Sequence, residues 1–169
     1  MKQITFDDRY NLTDLVLSGQ KTQTRILVDT KDEFLDGVFN WDSAGTMITF
    51  WKNEKEFIDI KSPYHYGDEI AIKNISGYGN NKPNIITITD IRFERLQDIN
   101  DEDCIKEGVL KSDKYAMPYG IPEKSAPNGV FFYYSTPREA FANLIDKIHG
   151  MGTWESNPWV WVYEFELIK

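Results

Sequence analysis

Sulfur and imidazole ligands are scarce in this chain. Among its 169 residues there is one cysteine, Cys104, and there are two histidines, His65 and His149. A single cysteine excludes an internal disulfide, and these three side chains fall short of the four ligands of a structural zinc site. We therefore expect neither a disulfide framework nor a bound metal.

Long apolar runs and an excess of basic charge are also missing. No stretch approaches the roughly 20 apolar residues of a membrane span, and MKQITFDDRY does not look like a secretion signal. We predict a cytoplasmic protein with no membrane partner. The formal net charge of −8 argues against the broad electrostatic grip of proteins that coat duplex nucleic acid. Any nucleic acid is expected to bind locally.

The remaining composition is that of a globular protein. Hydrophobic residues make up 41% and aromatic residues 14% of the chain, which is enough for one buried core at this length. We predict a single domain over residues 1–169. Residues 110–134 hold three of the seven prolines and are predicted to form a surface excursion from it.

Periodicity predicts strands that alternate irregularly with about three short helices. The helices are predicted at Asp8–Ser18, from the Asn100 cap to Gly108, and from a capping box at 136–139 to Gly150. Strands are predicted at 21–28, 47–51, 56–61, 68–75, 86–96 and 159–166, with a loop at 29–43. Because the order is irregular, we predict an α+β fold, a small mixed β-barrel, and not a doubly wound parallel sheet.

Common catalytic and cofactor motifs are absent. The chain has no phosphate-binding Gly-rich loop with Lys-Ser/Thr, no Gly-x-Ser-x-Gly and no His-Glu-x-x-His. Gly77-Tyr78-Gly79 lacks the third glycine of a dinucleotide-binding turn and precedes a strand. No cofactor is predicted, and Cys104 is interpreted as a small buried side chain.

The densest polar sequence is GQKTQTR, residues 19–25, at a predicted helix-to-strand junction. Spacing alone favours ordinary strand threonines flanked by solvated cations. Residues three apart on a regular strand point to opposite faces, so Lys21 and Thr24 converge only if the chain is still turning at Lys21 or bulges between them.

GQKTQTR resembles the opening signature of the ASCH family, which is built on a PUA-like barrel. Similar blocks follow in YHYGDEIAIKN, ITDIRFERLQDINDEDCIKEGV and TWESNPWVWVYEFELI. The chain is most similar to the phage and prophage branch, and the resemblance implies RNA binding. It departs from that branch at Asn74, where glutamate is usual, and at Ile26, where a second arginine is usual.

A smaller branch of the family hydrolyses N4-acylated cytidines, and the resemblance carries three catalytic roles to this chain. Thr24 is then the nucleophile, Lys21 the base that activates it if burial lowers its pKa, and Glu107 the acid/base for the leaving amine. We expect the dipole at its helix C-terminus to raise the pKa of Glu107.

Further residues are candidates for contacts with RNA or a nucleoside. Arg25 and Lys73 are candidates for phosphate or base contacts, and Tyr66, Trp154 and Trp159 for stacking on a base. The predicted nucleoside-binding residues are Thr22, Arg25, Tyr66, Lys73, Trp154 and Trp159. Trp161 and Phe165 are assigned to the core.

Three functions follow as rivals. The first is binding of RNA or a modified nucleoside, and the second is metal-independent amide hydrolysis of an acylated nucleoside. The third is an adaptor that binds a phage or host protein through residues 110–134, so a protein partner stays among the predicted partners.

Overall fold

The computed structural model describes residues 1–28, 38–42, 45–73, 83–127 and 129–168. Eleven strands and four α-helices lie in these ranges. The strands are β1 (Lys2–Ile4), β2 (Gln23–Leu27), β3 (Val38–Trp41), β4 (Met47–Trp51), β5 (Phe57–Lys61), β6 (Glu69–Ile72), β7 (Ile85–Arg95), β8 (Leu110–Lys111), β9 (Tyr119–Pro122), β10 (Val130–Tyr134) and β11 (Trp159–Ile168). The helices are α1 (Leu12–Leu17), α2 (Asp101–Lys106), α3 (Pro137–His149) and α4 (Thr153–Ser156).

The main sheet has five strands in the order β1-β6-β7-β11-β2. Its longest pair is antiparallel β7 and β11, and β2 pairs with the other side of β11 from Val160↔Leu27 to Glu164↔Gln23. Only β1 and β6 run parallel. Strand β11 is buried on both faces from Val160 to Tyr163, and Trp161 and Phe165 are both buried, which confirms their assignment to the core.

A second sheet, β3-β4-β5, packs an aromatic face on the main sheet. The rings of Phe39 and Phe50 lie 5.3 and 5.5 Å from Trp159, which in turn stacks on Phe93 at 4.9 Å. The predicted hairpin is confirmed as β4 and β5. The loop predicted at 29–43 is wrong over Val38–Trp41, which forms β3.

The third sheet, β10-β9-β8, occupies the segment predicted as a surface excursion. Its central strand β9 contributes the buried Ile121 and lies against α3. The proposal of a single domain with an excursion stays a prediction, as does the adaptor role of this segment.

Helices α2 and α3 each begin at a side-chain cap. Asn100 accepts a hydrogen bond from the Asp103 N–H, and Thr136 and Glu139 form the predicted capping box of α3. The helix predicted at Asp8–Ser18 is interrupted: a 3₁₀ turn at 8–10 precedes α1, and Asn11 between them has φ +51°.

The α+β class is confirmed, with four α-helices in the described ranges where about three were predicted. The strands of those ranges form three separate sheets, none of which closes on itself. Asn74, the Gly77–Gly79 turn and most of the loop at 29–43 lie outside the described residues. No helix in the described part of the chain has the length and apolar character needed to cross a membrane.

Candidate functional site

The corner between α1 and β2 determines where Lys21 points. The N–H groups of Gln20 and Lys21 both donate to the Leu15 carbonyl, at 2.9 and 3.0 Å, so the chain is still turning at Lys21. Strand β2 begins only at Gln23. The rule that residues three apart on a strand face opposite ways therefore does not apply to Lys21 and Thr24.

Lys21, Thr24, Arg25 and Glu107 line one cavity of about 300 Å³. The structure thus brings together the three predicted catalytic residues and one predicted binding residue. The other walls are mostly apolar and come from β1, α1, β2 and α3: Ile4, Phe6, Leu12, Ile26, Leu27, Phe141, Leu144, Ile145 and Ile148. This volume lies at the lower end of the range of about 300–1,000 Å³ typical of small-molecule sites.

Lys21 and Glu107 form a buried ion pair in this cavity. The Lys21 Nζ donates to Glu107 Oε2 at 2.8 Å, to the Glu107 carbonyl at 2.9 Å and to the Gln23 carbonyl at 2.7 Å. Their side chains are only 2% and 5% exposed. Every N–H of the ammonium therefore has an acceptor from the protein.

Arg25 holds the second oxygen of Glu107. Its Nη1 donates to Glu107 Oε1 at 2.9 Å and also to the Gln23 side-chain oxygen. Its Nη2 donates to Glu94 Oε1 at 2.7 Å and lies 3.4 Å from Asp103 Oδ2. The Arg25 side chain is fully buried, and within the described residues its Nε has no hydrogen-bond partner.

Asp103 extends this network away from the cavity. It accepts from Gln23 Nε2 at 3.1 Å and from Arg92 Nη2 at 2.9 Å. Burial opposes its ionisation, but the Gln23 hydrogen bond and the charges of Arg92 and Arg25 together lower the pKa of Asp103 below its ordinary value of 3.8. Residues from β2, α2 and β7 are thereby joined into one polar network.

Burial also changes the acid–base properties of Lys21. Desolvation lowers the pKa of the Lys21 amine from its ordinary value of 10.5, against the opposing charge and hydrogen bond of Glu107. This is the direction that a lysine base requires. The predicted proton-transfer role of Glu107, which accepts from two cations, stays a prediction.

Thr24 presents a hydroxyl that no other side chain uses. No hydrogen bond within the described residues involves the Thr24 side chain, whereas its neighbours Gln23 and Arg25 are buried in the network. The hydroxyl is therefore free to contact a guest in the cavity that Thr24 lines.

Gly108 lets α1 approach this site closely. It has φ +113°, and a Cβ at this position would lie 3.1 Å from Leu15 Cδ1 and 3.3 Å from Leu12 Cδ2. Glycine is the one residue that suits both the backbone conformation and the space.

The remaining predicted binding residues lie elsewhere. Thr22 contributes backbone hydrogen bonds to Lys106 and Phe165 and does not line the cavity, and exposed Lys73 lies beyond β6. Tyr66, which is 78% exposed, borders a separate depression with Trp41 and Asp90.

The two tryptophans of the predicted set are packing residues in this structure. Trp154 contacts Phe141 at 6.2 Å between ring centroids, and Trp159 stacks on Phe93. Tyr66, Trp154 and Trp159 do not line the cavity, so base stacking by these residues stays a prediction.

Two titratable residues of the cavity, Asp7 and His149, were not among the predicted site residues. Asp7 is half-buried and His149 is exposed at the end of α3, yet both line the cavity. Nothing in the local sequence of His149 indicates the cavity.

Metal ligands do not cluster here. In the described ranges, no group of three or more His, Cys, Asp and Glu side chains has an arrangement that could hold a metal ion. Cys104 is buried, as predicted, and burial raises the pKa of its thiol to about 12.

Comparison with protein-family models and with curated proteins finds no match. The chain is similar to an ASCH domain of known structure. That domain, from Lactobacillus crispatus JV V101, matches with a TM-score of 0.46 and 16% identity over 98% of this chain and 79% of its own. A DUF984 protein from Enterococcus faecalis V583 matches with a TM-score of 0.46 and 15% identity over 99% and 80%.

Both matches compare the path of the backbone and say nothing about what the cavity binds. The assignment to the phage and prophage branch stays a prediction.

Proposed function

We propose that the cavity binds a nucleobase, either of a modified nucleoside or of an unpaired nucleotide in RNA. The observation that carries this proposal is the convergence of Lys21, Thr24, Arg25 and Glu107 on one small cavity with apolar walls. Pockets of this kind hold a flat apolar body while a few polar groups fix its orientation. The ASCH-like sequence motifs support a nucleobase as that body.

Binding is tested with cytidine, N4-acetylcytidine and short RNA oligomers by calorimetry. Thr24→Ala is expected to weaken binding because it removes a cavity hydroxyl, and Thr22→Ala is the matched control because Thr22 does not line the cavity. Equal affinities in the two variants would contradict the placement of the guest. If Lys21→Ala binds RNA as tightly as the parent does, that result would also contradict the placement of the guest.

A second candidate function is amide hydrolysis of an acylated nucleoside. Two observations favour it: the Thr24 hydroxyl has no protein partner within the described residues, and burial lowers the pKa of Lys21. An amine with a lowered pKa is a suitable base for a threonine nucleophile.

The contact between Lys21 and Glu107 supports the first proton transfer of this reaction. The Lys21 ammonium first transfers a proton to Glu107, which accepts its hydrogen bond at 2.8 Å. Neutral Lys21 then takes the Thr24 proton as the oxygen attacks the amide carbon, and Glu107 protonates the leaving amine as the C–N bond breaks. Water hydrolyses the resulting ester and restores Thr24.

Incubation of the protein with N4-acetylcytidine, followed by chromatography, tests this reaction. The expected products are cytidine and acetate, lost in Thr24→Ala and kept in Thr22→Ala. Binding without product at high protein concentration would refute hydrolysis and leave the binding proposal in place.

A further inference from the structure

The cations of the cavity are already neutralised by the protein. Lys21 and Arg25 line it, and together with Arg92 and Lys106 they contact at least as many carboxylates, Glu107, Glu94, Asp103 and Glu164. Such a balanced cluster leaves no net positive charge to attract an anion.

The donors of these cations are also occupied. Lys21 uses its three N–H groups on Gln23 and Glu107, and each Nη of Arg25 has two acceptors. A phosphate placed here would have to displace a carboxylate from a buried ion pair, which leaves that carboxylate unpaired at a high energetic cost.

Two buried donors of these cations have no partner within the described residues, Arg25 Nε and Arg92 Nε, but both atoms are buried and so are not offered to a guest. The Thr24 hydroxyl also has no partner within the described residues, and Thr24 lines the cavity. A single hydroxyl suits the carbonyl or ring nitrogen of an uncharged heterocycle, not the three oxygens of a phosphate.

We infer that the cavity accepts only an uncharged guest, a nucleobase or nucleoside, and that any phosphate attached to it stays outside. This inference rests on the proposed function and specifies its ligand class. It replaces the earlier expectation that Arg25 contacts phosphate.

The test compares cytidine with cytidine 5′-monophosphate by calorimetry. The monophosphate is expected to bind no more tightly than the nucleoside, and the nucleoside affinity is expected to change less than about twofold between low and high salt. A monophosphate bound at least about tenfold more tightly, with strong salt dependence, would overturn the inference and leave the proposed function standing. If neither these ligands nor N4-acetylcytidine and RNA oligomers bind, the proposed function fails and this inference fails with it.

Charge variants provide a second measurement. Glu94→Gln removes a carboxylate 2.7 Å from Arg25 without altering a cavity-lining residue. The affinity ratio of monophosphate to nucleoside is expected to rise about tenfold. Glu166→Gln, an exposed change of the same charge on β11, is expected to leave the ratio unchanged. An unchanged ratio in Glu94→Gln would contradict the charge balance.

Discussion

Glu107 is predicted to matter more for stability than its partner Lys21. Glu107 neutralises two buried cations, at 2.8 Å and 2.9 Å, whereas Lys21 contacts one carboxylate. In Glu107→Gln, Lys21 loses its only counter-charge and Arg25 loses one of three. In Lys21→Met, Glu107 keeps Arg25.

The expected magnitudes follow from this asymmetry. Removing one partner of a buried ion pair costs about 3–5 kcal/mol, because the other charge is left uncompensated. We expect a loss of this size for Glu107→Gln. For Lys21→Met we expect about 2 kcal/mol or less, because methionine fills similar space and removes a desolvated ammonium.

Urea unfolding at neutral pH measures both values. Exposed substitutions of the same types, Lys61→Met and Glu166→Gln, serve as controls and are expected to change stability by no more than about 0.5 kcal/mol. The double variant should lose less than the sum of the two single losses, because the two sites are in direct contact. An equal loss of unfolding free energy in Lys21→Met and in Glu107→Gln would refute this account of the network.

The pH dependence provides an independent check. Because the pKa of Lys21 is lowered in the folded protein, the unfolded chain binds more protons between that pKa and the ordinary value of 10.5. The contribution of Lys21 therefore makes stability rise with pH in this window. The stability difference between the parent and Lys21→Met should rise there too, and a flat or falling difference would contradict the lowered pKa.

Three further predictions concern neighbouring positions. Thr24→Ala should leave stability within about 0.5 kcal/mol of the parent by urea unfolding, because the hydroxyl has no protein partner in the described ranges. Asp103→Asn should destabilise the protein at neutral pH. The pKa of Asp103 in the folded protein lies below 3.8, so the stability difference between the parent and Asp103→Asn should shrink as the pH falls through and below 3.8, measured by unfolding at a series of acid pH values. Gly108→Ala should lower the unfolding temperature more than Gly67→Ala does. Both glycines have positive φ, but only at Gly108 would the added Cβ meet Leu15.

The long elements of the fold were predictable from local pattern. The strands β7 and β11 and the helix α3 have clear alternation, helical periodicity or capping residues. The short strands were not predictable, because β1 and β8 have three and two residues, too few to show alternation. Strand β9 ends on Pro122, a residue that argues against a strand when the sequence is considered alone.

The candidate site was predictable only in part. The motif around Lys21 and Thr24 indicated the corner, but its geometry depended on hydrogen bonds to Leu15 that local sequence does not specify. A signal for the network was present in Gln23 and Arg25, which alternation places on the same face of β2. A buried face with these side chains requires carboxylate partners, yet their identity depends on how β2, β7 and α2 meet.

The polar network is an exception to the rule that charged side chains stay outside the core, and its position beside the cavity offers a reason. Apolar residues of similar volume often stabilise a core more than a buried ion pair does, so stability alone is a weak reason for Lys21, Arg25 and Glu107 to be there. Departures from local rules concentrate at functional sites. Here the departure coincides with a cavity that Thr24 lines, and the Thr24 hydroxyl has no hydrogen-bond partner among the described residues. A cluster that is costly to bury, internally neutral and open to a small cavity is better suited to orienting an uncharged guest than to holding the fold together.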